Sequence, residues 1–276
     1  MPIRLSISIV IFKQNLDVLN HLFACLKIAL KKTLQDFAVT CDVWVIDNDP
    51  LSCLEADIQN IAERNLSIPG VITFQYKKTG KNIGYGAANN IVIKNCDSTY
   101  HLIMNPDVFV AEDCLLNAIY YMQRHQDIGL LSPAVYGEDG SRHYLCKKNP
   151  TLFDMYLRSF APGFIKKLYK QRMLEFEMRD KDYDQEIFDA PFLTGCFMFF
   201  RTEVLKKING FDERFFLYFE DTDLSRRVLD VSHSAYVPQV KVVHQWARES
   251  RRKFKMLCIF IHSAFLYWKK HGGIVY

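Results

Sequence analysis

His101-Leu102-Ile103-Met104-Asn105-Pro106-Asp107-Val108 is the stretch on which the fold turns. His101–Met104 reads as a buried strand, Pro106 stops its ladder and fixes a turn, and Asp107 follows at once. Alone, Asn-Pro-Asp is also an ordinary loop signal. Its weight comes from the segments around it. Ile7–Phe12, Asp42–Ile46, Val71–Tyr76 and Gly129–Ser132 read as strands, and Leu16–Lys31, Leu54–Arg64, Ala87–Lys94 and Glu112–His125 as the helices between them. Such alternation predicts an α/β fold with a mostly parallel, Rossmann-like sheet flanked by helices. Ligands on these sheets bind beyond the carboxyl ends of the strands, where Asp47, Asn82–Gly86 and Asp107 all fall.

The bulk composition agrees. The chain has 276 residues, 49% of them hydrophobic and 24% charged, enough for a sizeable core and unlike a disordered protein. A net charge of +4, with aromatic residues not interleaved along one basic stripe, argues against nucleic acid. The eight cysteines form no CxxC pair, so they read as reduced, mostly buried thiols rather than zinc ligands or redox pairs. The start reads as a strand rather than a signal peptide, and no window is long enough to span a bilayer. The expected location is cytoplasmic, at most peripheral on the inner face of the membrane.

Three further segments carry candidate chemistry. In Phe216-Leu217-Tyr218-Phe219-Glu220-Asp221-Thr222-Asp223-Leu224, three acids follow an aromatic run. On a solvated helix they would be capping charge; in an apolar setting they raise one another's pKa, as a general base near neutral pH requires. Gly80-Lys81-Asn82-Ile83-Gly84-Tyr85-Gly86 leads into a helix and lets a phosphate approach the backbone, although it is neither GxGxxG nor a Walker loop. His244 closes the strand Val240–Val243 and gains meaning only if the fold brings it to Asp107.

Taken in order, Val45-Ile46-Asp47-Asn48, Asn82–Gly86 with Asn89-Asn90, Asn105-Pro106-Asp107, Gly195-Cys196-Phe197-Met198, Asn209-Gly210-Phe211-Asp212-Glu213, the acidic segment, and Val237-Pro238 with His244 resemble the inverting family 2 glycosyltransferases of the GT-A fold. The resemblance is to their bacterial rhamnosyltransferase-like branch and runs from Ser6 to about Gly273. It implies a nucleotide-sugar donor, dTDP- or UDP-linked, with dTDP-rhamnose favoured. It also implies a saccharide acceptor, often carried on a polyprenyl diphosphate, for O-antigen or capsule synthesis. Phe12 and Asp47 would line the nucleobase pocket, and Asn82, Gly84, Asn89 and Asn90 would flank the nucleotide. Asp107 would hold Mg²⁺ or Mn²⁺ with His244, Asn105 standing where a second acid is common. Asp221 would be the base, with Glu220 alongside. Gln245-Trp246-Ala247-Arg248 shares residues with the QxxRW segment of processive members in the wrong order, so single addition is expected. The rival readings are a UDP-hexose or galactofuranose transferase, or a non-catalytic sugar-nucleotide or polysaccharide-binding scaffold.

The domain reading places a catalytic domain at 1–252, with a nucleotide-sugar half to about 135, an acceptor-side insertion over 136–190 and a catalytic segment over 191–252. A helical tail covers 253–276. The insertion contains a basic amphipathic run, Ile165–Arg172. The tail, preceded by Arg248, Arg251 and Arg252, reads equally as a helix packed on the core and as one lying on a membrane surface. An oligomer is compatible with either.

Overall fold

The computed structural model describes residues 2–159, 161–245 and 254–272. The expectations placed on Trp246 to Lys253 therefore lie outside the described residues. The first half runs β1 (Ile3–Ile11), α1 (Leu16–Thr33), β2 (Val39–Asp47), α2 (Glu55–Asn65), β3 (Ile72–Lys78), α3 (Tyr85–Ile93), β4 (Tyr100–Met104), β5 (Val108–Val110), α4 (Cys114–Arg124) and β6 (Ile128–Tyr136). The insertion holds β7 (Arg142–His143), β8 (Cys146–Lys147), α5 (Leu152–Ser159), α6 (Gly163–Leu168), α7 (Lys170–Phe176) and β9 (Ile187–Phe188). The chain continues with β10 (Phe192–Leu193), β11 (Phe197–Arg201), α8 (Thr202–Lys207), α9 (Glu220–Leu229), β12 (His233–His244) and α10 (Phe254–His271).

The main sheet has the order β3-β2-β1-β4-β11-β6-β12-β5. Its β3-β2-β1-β4 half is parallel, as the alternation requires. Beyond it the sheet is mixed: β11 lies antiparallel to β4 and β6, while β12 is parallel to β6 and antiparallel to the edge strand β5. Ile7, Ile9, Val43, Val45 and Leu102 are fully buried under α1, whose Leu19, Leu22, Phe23 and Leu26 form its core face. The run Phe192–Phe200 reads as one strand in the sequence but folds as two: Gly195-Cys196 separates β10 from β11. Thr194 and Gly195 are its only interruption, too short for hydrophobic periodicity to mark the break.

A buried polar chain ties the parallel half together. The Ser6 hydroxyl lies 2.6 Å from His101 Nδ1, and the Ser8 hydroxyl lies 3.1 Å from His101 Nε2 and donates to Asn89 Oδ1 at 2.6 Å. Because Ser8 donates to Asn89 it accepts from Nε2–H, which leaves Nδ1 to accept from Ser6 and the imidazole neutral. Burial holds the His101 pKa down at about 3. Since the unfolded chain titrates near 6.5, only the unfolded state gains a proton between those values, and stability falls as pH falls. Lowering pH from 7 to 5 should cost about 2 kcal/mol from this group alone. Urea unfolding at both values should show a shallower loss in His101→Asn; equal losses in the two proteins would clear His101 as the cause.

The C-terminal helix packs on the body of the protein. Phe260, Ala264, Tyr267 and Trp268 form one buried cluster with Phe215 and Phe219. Trp268 Nε1 donates to the Pro150 carbonyl at 2.9 Å and Ser263 Oγ to that of Leu217 at 2.8 Å. Asp223, fully buried on α9, pairs with Arg227, Lys270 and His271, each at 2.7 Å. No helix among the described residues is long and apolar enough to cross a membrane.

Candidate active site

The site is assembled around Gly195-Cys196, the break between β10 and β11. The Gly195 N–H donates to Asp221 Oδ2 at 2.9 Å, and the Cys196 carbonyl accepts from the Asn105 N–H at 2.9 Å. One dipeptide thus joins the acidic start of α9 to the loop that follows β4. In that loop Asp107 Oδ1 lies 3.3 Å from His244 Nε2. The pairing of β12 with β5, His244 opposite Val108, makes this approach, and the Gln245 N–H donates to the Asp107 carbonyl. The fold therefore brings together Asn105, Asp107, His244, Glu220 and Asp221, residues spread over 140 positions of the chain.

Glu220 and Asp221 open α9, where the helix dipole favours negative charge. Two consecutive left-handed residues, Tyr218 (φ 69°) and Phe219 (φ 65°), deliver them. Each such residue costs about 1–3 kcal/mol and persists only where its surroundings enforce it. Here α10 supplies that enforcement: the Phe219 ring lies 5.5 Å from those of Phe260 and Tyr267 and 6.0 Å from Trp268. From the other side, Tyr85 N–H donates to the Phe216 carbonyl at 3.1 Å. Gly84, at φ 91°, permits this approach, since a Cβ there would stand 2.5 Å from that carbonyl oxygen.

Electrostatically the two carboxyls differ. Glu220 is 7% exposed and its Oε2 has no hydrogen-bond partner. Burial, and then the charge of Asp221, raises its pKa far above the carboxylate range. Asp221 is partly exposed and accepts from the N–H groups of Gly195 and Thr222. Burial still raises its pKa, against the pull of those donors and of Lys147. The pair therefore keeps one proton on Glu220 while Asp221 presents the accessible, ionised oxygen.

Lys147 escaped notice in the sequence, where it sits in an insertion without periodicity. Strand β8 pairs with β10, places it opposite Phe192, and aims its ammonium at Thr194 Oγ1, 3.4 Å away. Burial brings its pKa down to about 8. Asn48 was visible but given no role. Its side chain donates to Asn82 Oδ1 and the Gly84 carbonyl and accepts from the Ile83 N–H, which ties the end of β2 to the glycine segment.

Asn89 and Asn90 are engaged by the protein itself. Asn89 is spent on Ser8 and the Tyr85 carbonyl, while Asn90 clamps the Phe211 backbone and Glu213. Both are buried because an amide can bridge backbone groups of two elements in a core. Asp47 is 1% exposed, its carboxylate accepting from the Tyr76 hydroxyl and the Asp49 N–H, so it shapes the strand-end loop. Phe12, 46% exposed at the end of β1, and Asn82, capping the Gly84 N–H at 3.0 Å, remain at the carboxyl edge of the sheet.

Gly195 offers a direct test of this geometry. A Cβ there would meet Asp221 Cβ at 2.8 Å, too close for either to stay. Gly195→Ala should lower kcat about 10²-fold through displacement of the carboxylate, with the melting temperature nearly unchanged. Full activity in the folded variant would show that Asp221 need not sit where Gly195 holds it.

The chain is similar to known proteins. The glycosyl transferase family 2 model matches residues 19–209, ending just short of the acidic pair. Rhamnosyltransferase WbbL of Escherichia coli is 30% identical over 186 residues, covering 64% of this chain and 66% of that protein. N-acetylglucosaminyl-diphospho-decaprenol L-rhamnosyltransferase of Mycobacterium tuberculosis is 28% identical over 194 residues, covering 63% of this chain and 59% of the relative. The chain thus spans about three fifths to two thirds of the curated relatives it matches. Among solved structures, S. aureus TarS 1–349 superposes with a TM-score of 0.56 at 13% identity, covering 98% of this chain and 74% of that one. A mannosyltransferase from Pyrobaculum calidifontis in complex with GDP-Man and Mn²⁺ gives 0.54 at 14%, covering 91% and 59%.

Proposed function

The chain belongs to glycosyl transferase family 2, and on that premise we propose that it transfers rhamnose from dTDP-rhamnose to a saccharide acceptor carried on a polyprenyl diphosphate, in the synthesis of a surface polysaccharide. The two rhamnosyltransferase relatives support the sugar, and the decaprenol-linked substrate named for one of them supports the acceptor class. One observation carries the chemistry: Gly195-Cys196 holds Asp221 on one side and the Asp107 loop on the other. An acceptor hydroxyl and a departing diphosphate need that separation of duties.

In the proposed reaction Asp221 accepts the proton of the acceptor hydroxyl as its oxygen attacks the anomeric carbon, with inversion. Gly195 and Thr222 orient the carboxylate, and Glu220, protonated, keeps a second negative charge away from it. The Phe12 and Asn82 edge receives the nucleotide. Asp107 and His244 would hold a divalent cation, Mg²⁺ or Mn²⁺, which when bound neutralises charge on the diphosphate leaving group. As a donor set the pair fits this role in part. It offers one carboxylate and one imidazole, and no cluster of three His, Cys, Asp or Glu ligands converges among the described residues. The remaining ligands would be diphosphate oxygens and water, as such ions accept. In the structure Asp107 and Cys196 outweigh burial and raise the His244 pKa to about 10, so proton and cation would compete for this pair.

Incubation of the full chain with dTDP-rhamnose, UDP-hexoses or UDP-galactofuranose and a polyprenyl-diphosphate-linked N-acetylglucosamine, read by mass spectrometry, tests the proposal. A mass increment of one deoxyhexose with the dTDP donor is expected. Transfer from a UDP donor alone would replace the sugar, and donor binding without transfer would favour the scaffold reading.

A further inference from the structure

Six large apolar side chains that stand exposed lie within eighteen consecutive positions of the insertion: Leu152, Phe153, Tyr156, Phe164, Leu168 and Tyr169. They form one surface. The Phe153 ring stacks on Tyr156 at 6.4 Å and meets Tyr169 edge-on at 5.0 Å, which joins α5 to the end of α6. Phe164 and Leu168, 74% and 76% exposed, lie four residues apart and so share one face of α6. Isolated exposed apolar residues are commonplace, but a contiguous cluster marks a docking surface.

Charge identifies its occupant. Residues 161–171 contain Lys166, Lys167 and Lys170 and no acid. Two of the nearby acids are paired, Asp154 with Arg172 at 2.7 Å and Glu177 with Arg158 at 3.1 Å and Arg179 at 2.7 Å, and Glu175 accepts from Gln171, so the lysines outnumber the one acid without an ion pair. A second copy docked face to face across a two-fold axis would bring these lysines together. A bilayer with anionic head groups accepts both parts, apolar side chains below the head groups and ammoniums among them. The two tyrosines, apolar with a polar tip, suit the same boundary. We propose that the α5–α6 face of the insertion docks on an anionic lipid surface.

The inference rests on the lipid-linked acceptor proposed above and gives it a geometry. The insertion that bears this face also carries Lys147, whose ammonium interacts electrostatically with Asp221. A chain docked through the insertion would be held at the membrane that carries the acceptor.

Sedimentation of the full chain with phosphatidylcholine vesicles, and with vesicles of phosphatidylcholine and phosphatidylglycerol in equal parts, tests the proposal. The chain should co-sediment with the second, and salt should release it. Phe164→Ser with Leu168→Ser, both at exposed positions, should weaken binding about tenfold or more. Lys166→Glu with Lys167→Glu and Lys170→Glu should abolish the preference for phosphatidylglycerol. Binding unchanged in these variants, or no co-sedimentation of the folded chain, would overturn the proposal, as would a dimer that Phe164→Ser with Leu168→Ser splits on gel filtration. Transfer to a short-chain, water-soluble acceptor should survive Phe164→Ser with Leu168→Ser. Vesicle binding without any transfer would sink the functional reading alone, and transfer without vesicle binding would sink this one alone.

Discussion

Asp221→Asn should lower kcat about 10³-fold while the protein stays folded and binds nucleoside diphosphate as before. The substitution is nearly isosteric, and its amide oxygen can still accept from the Gly195 N–H, which now meets Asp221 Oδ2 at 2.9 Å. The other position becomes an NH2 group that cannot accept from the Thr222 N–H, so basicity and one hydrogen bond are lost together. Stability should change little, because the substitution also deletes a charge beside the buried carboxyl of Glu220. In the parent protein the raised pKa of Asp221 has a visible consequence. Activity should decline on acidification at pH values above the ordinary carboxylate range, because the base is protonated there. Single-turnover rates across pH, with calorimetry for nucleotide affinity, check both points. Near-normal turnover in Asp221→Asn would remove it as the base.

Asp107→Ala should weaken binding of the nucleoside diphosphate in the presence of Mn²⁺ about 10²-fold, the scale on which the loss of a metal-site group is felt. The backbone at this position should hold, since the Gln245 N–H bond to the carbonyl of residue 107 and the pairing of β12 with β5 do not involve the carboxylate. Without the carboxylate the His244 pKa should fall, since burial is then opposed by Cys196 alone. A lone imidazole is a weak cation site by itself. Titration calorimetry with and without Mn²⁺ measures the difference between parent and variant. Equal affinity, with equal dependence on the ion, would take Asp107 out of the cation site and leave it a structural partner of His244.

The parallel half of the sheet was legible because buried strands write themselves as β-branched runs, whereas Asp107 and Asp221, each an ordinary loop or capping residue by itself, stood out as candidates only through the segments around them. Other parts were illegible for physical reasons. Gly195-Cys196 hides inside Phe192–Phe200, where only Thr194 and Gly195 interrupt the apolar residues and the Gly195 N–H is held by Asp221 from a distant part of the chain. Lys147 belongs to a two-residue strand, too short for any period. Polar side chains behind a glycine segment suggest a ligand, and the protein contacts of Asn89-Asn90 were not legible beside that suggestion. Their burial depends on Ser8 and Phe211, each about 80 or 120 positions away. Periodicity could not decide which way α10 faces; its contacts with Phe215 and Phe219 do.

Those contacts also set a timetable. The left-handed pair Tyr218-Phe219 is held by Phe260, Tyr267 and Trp268, which lie some forty to fifty positions further along the chain. A nascent polypeptide that has emerged from the ribosome through Thr222 has every residue of the proposed reaction except His244, yet lacks the template that gives its catalytic turn a shape. Competence is therefore conferred only when α10 is released and docks. The reverse holds for a protease: a cut anywhere between α9 and α10, followed by loss of the helix, would silence the enzyme without touching Asp107 or Asp221.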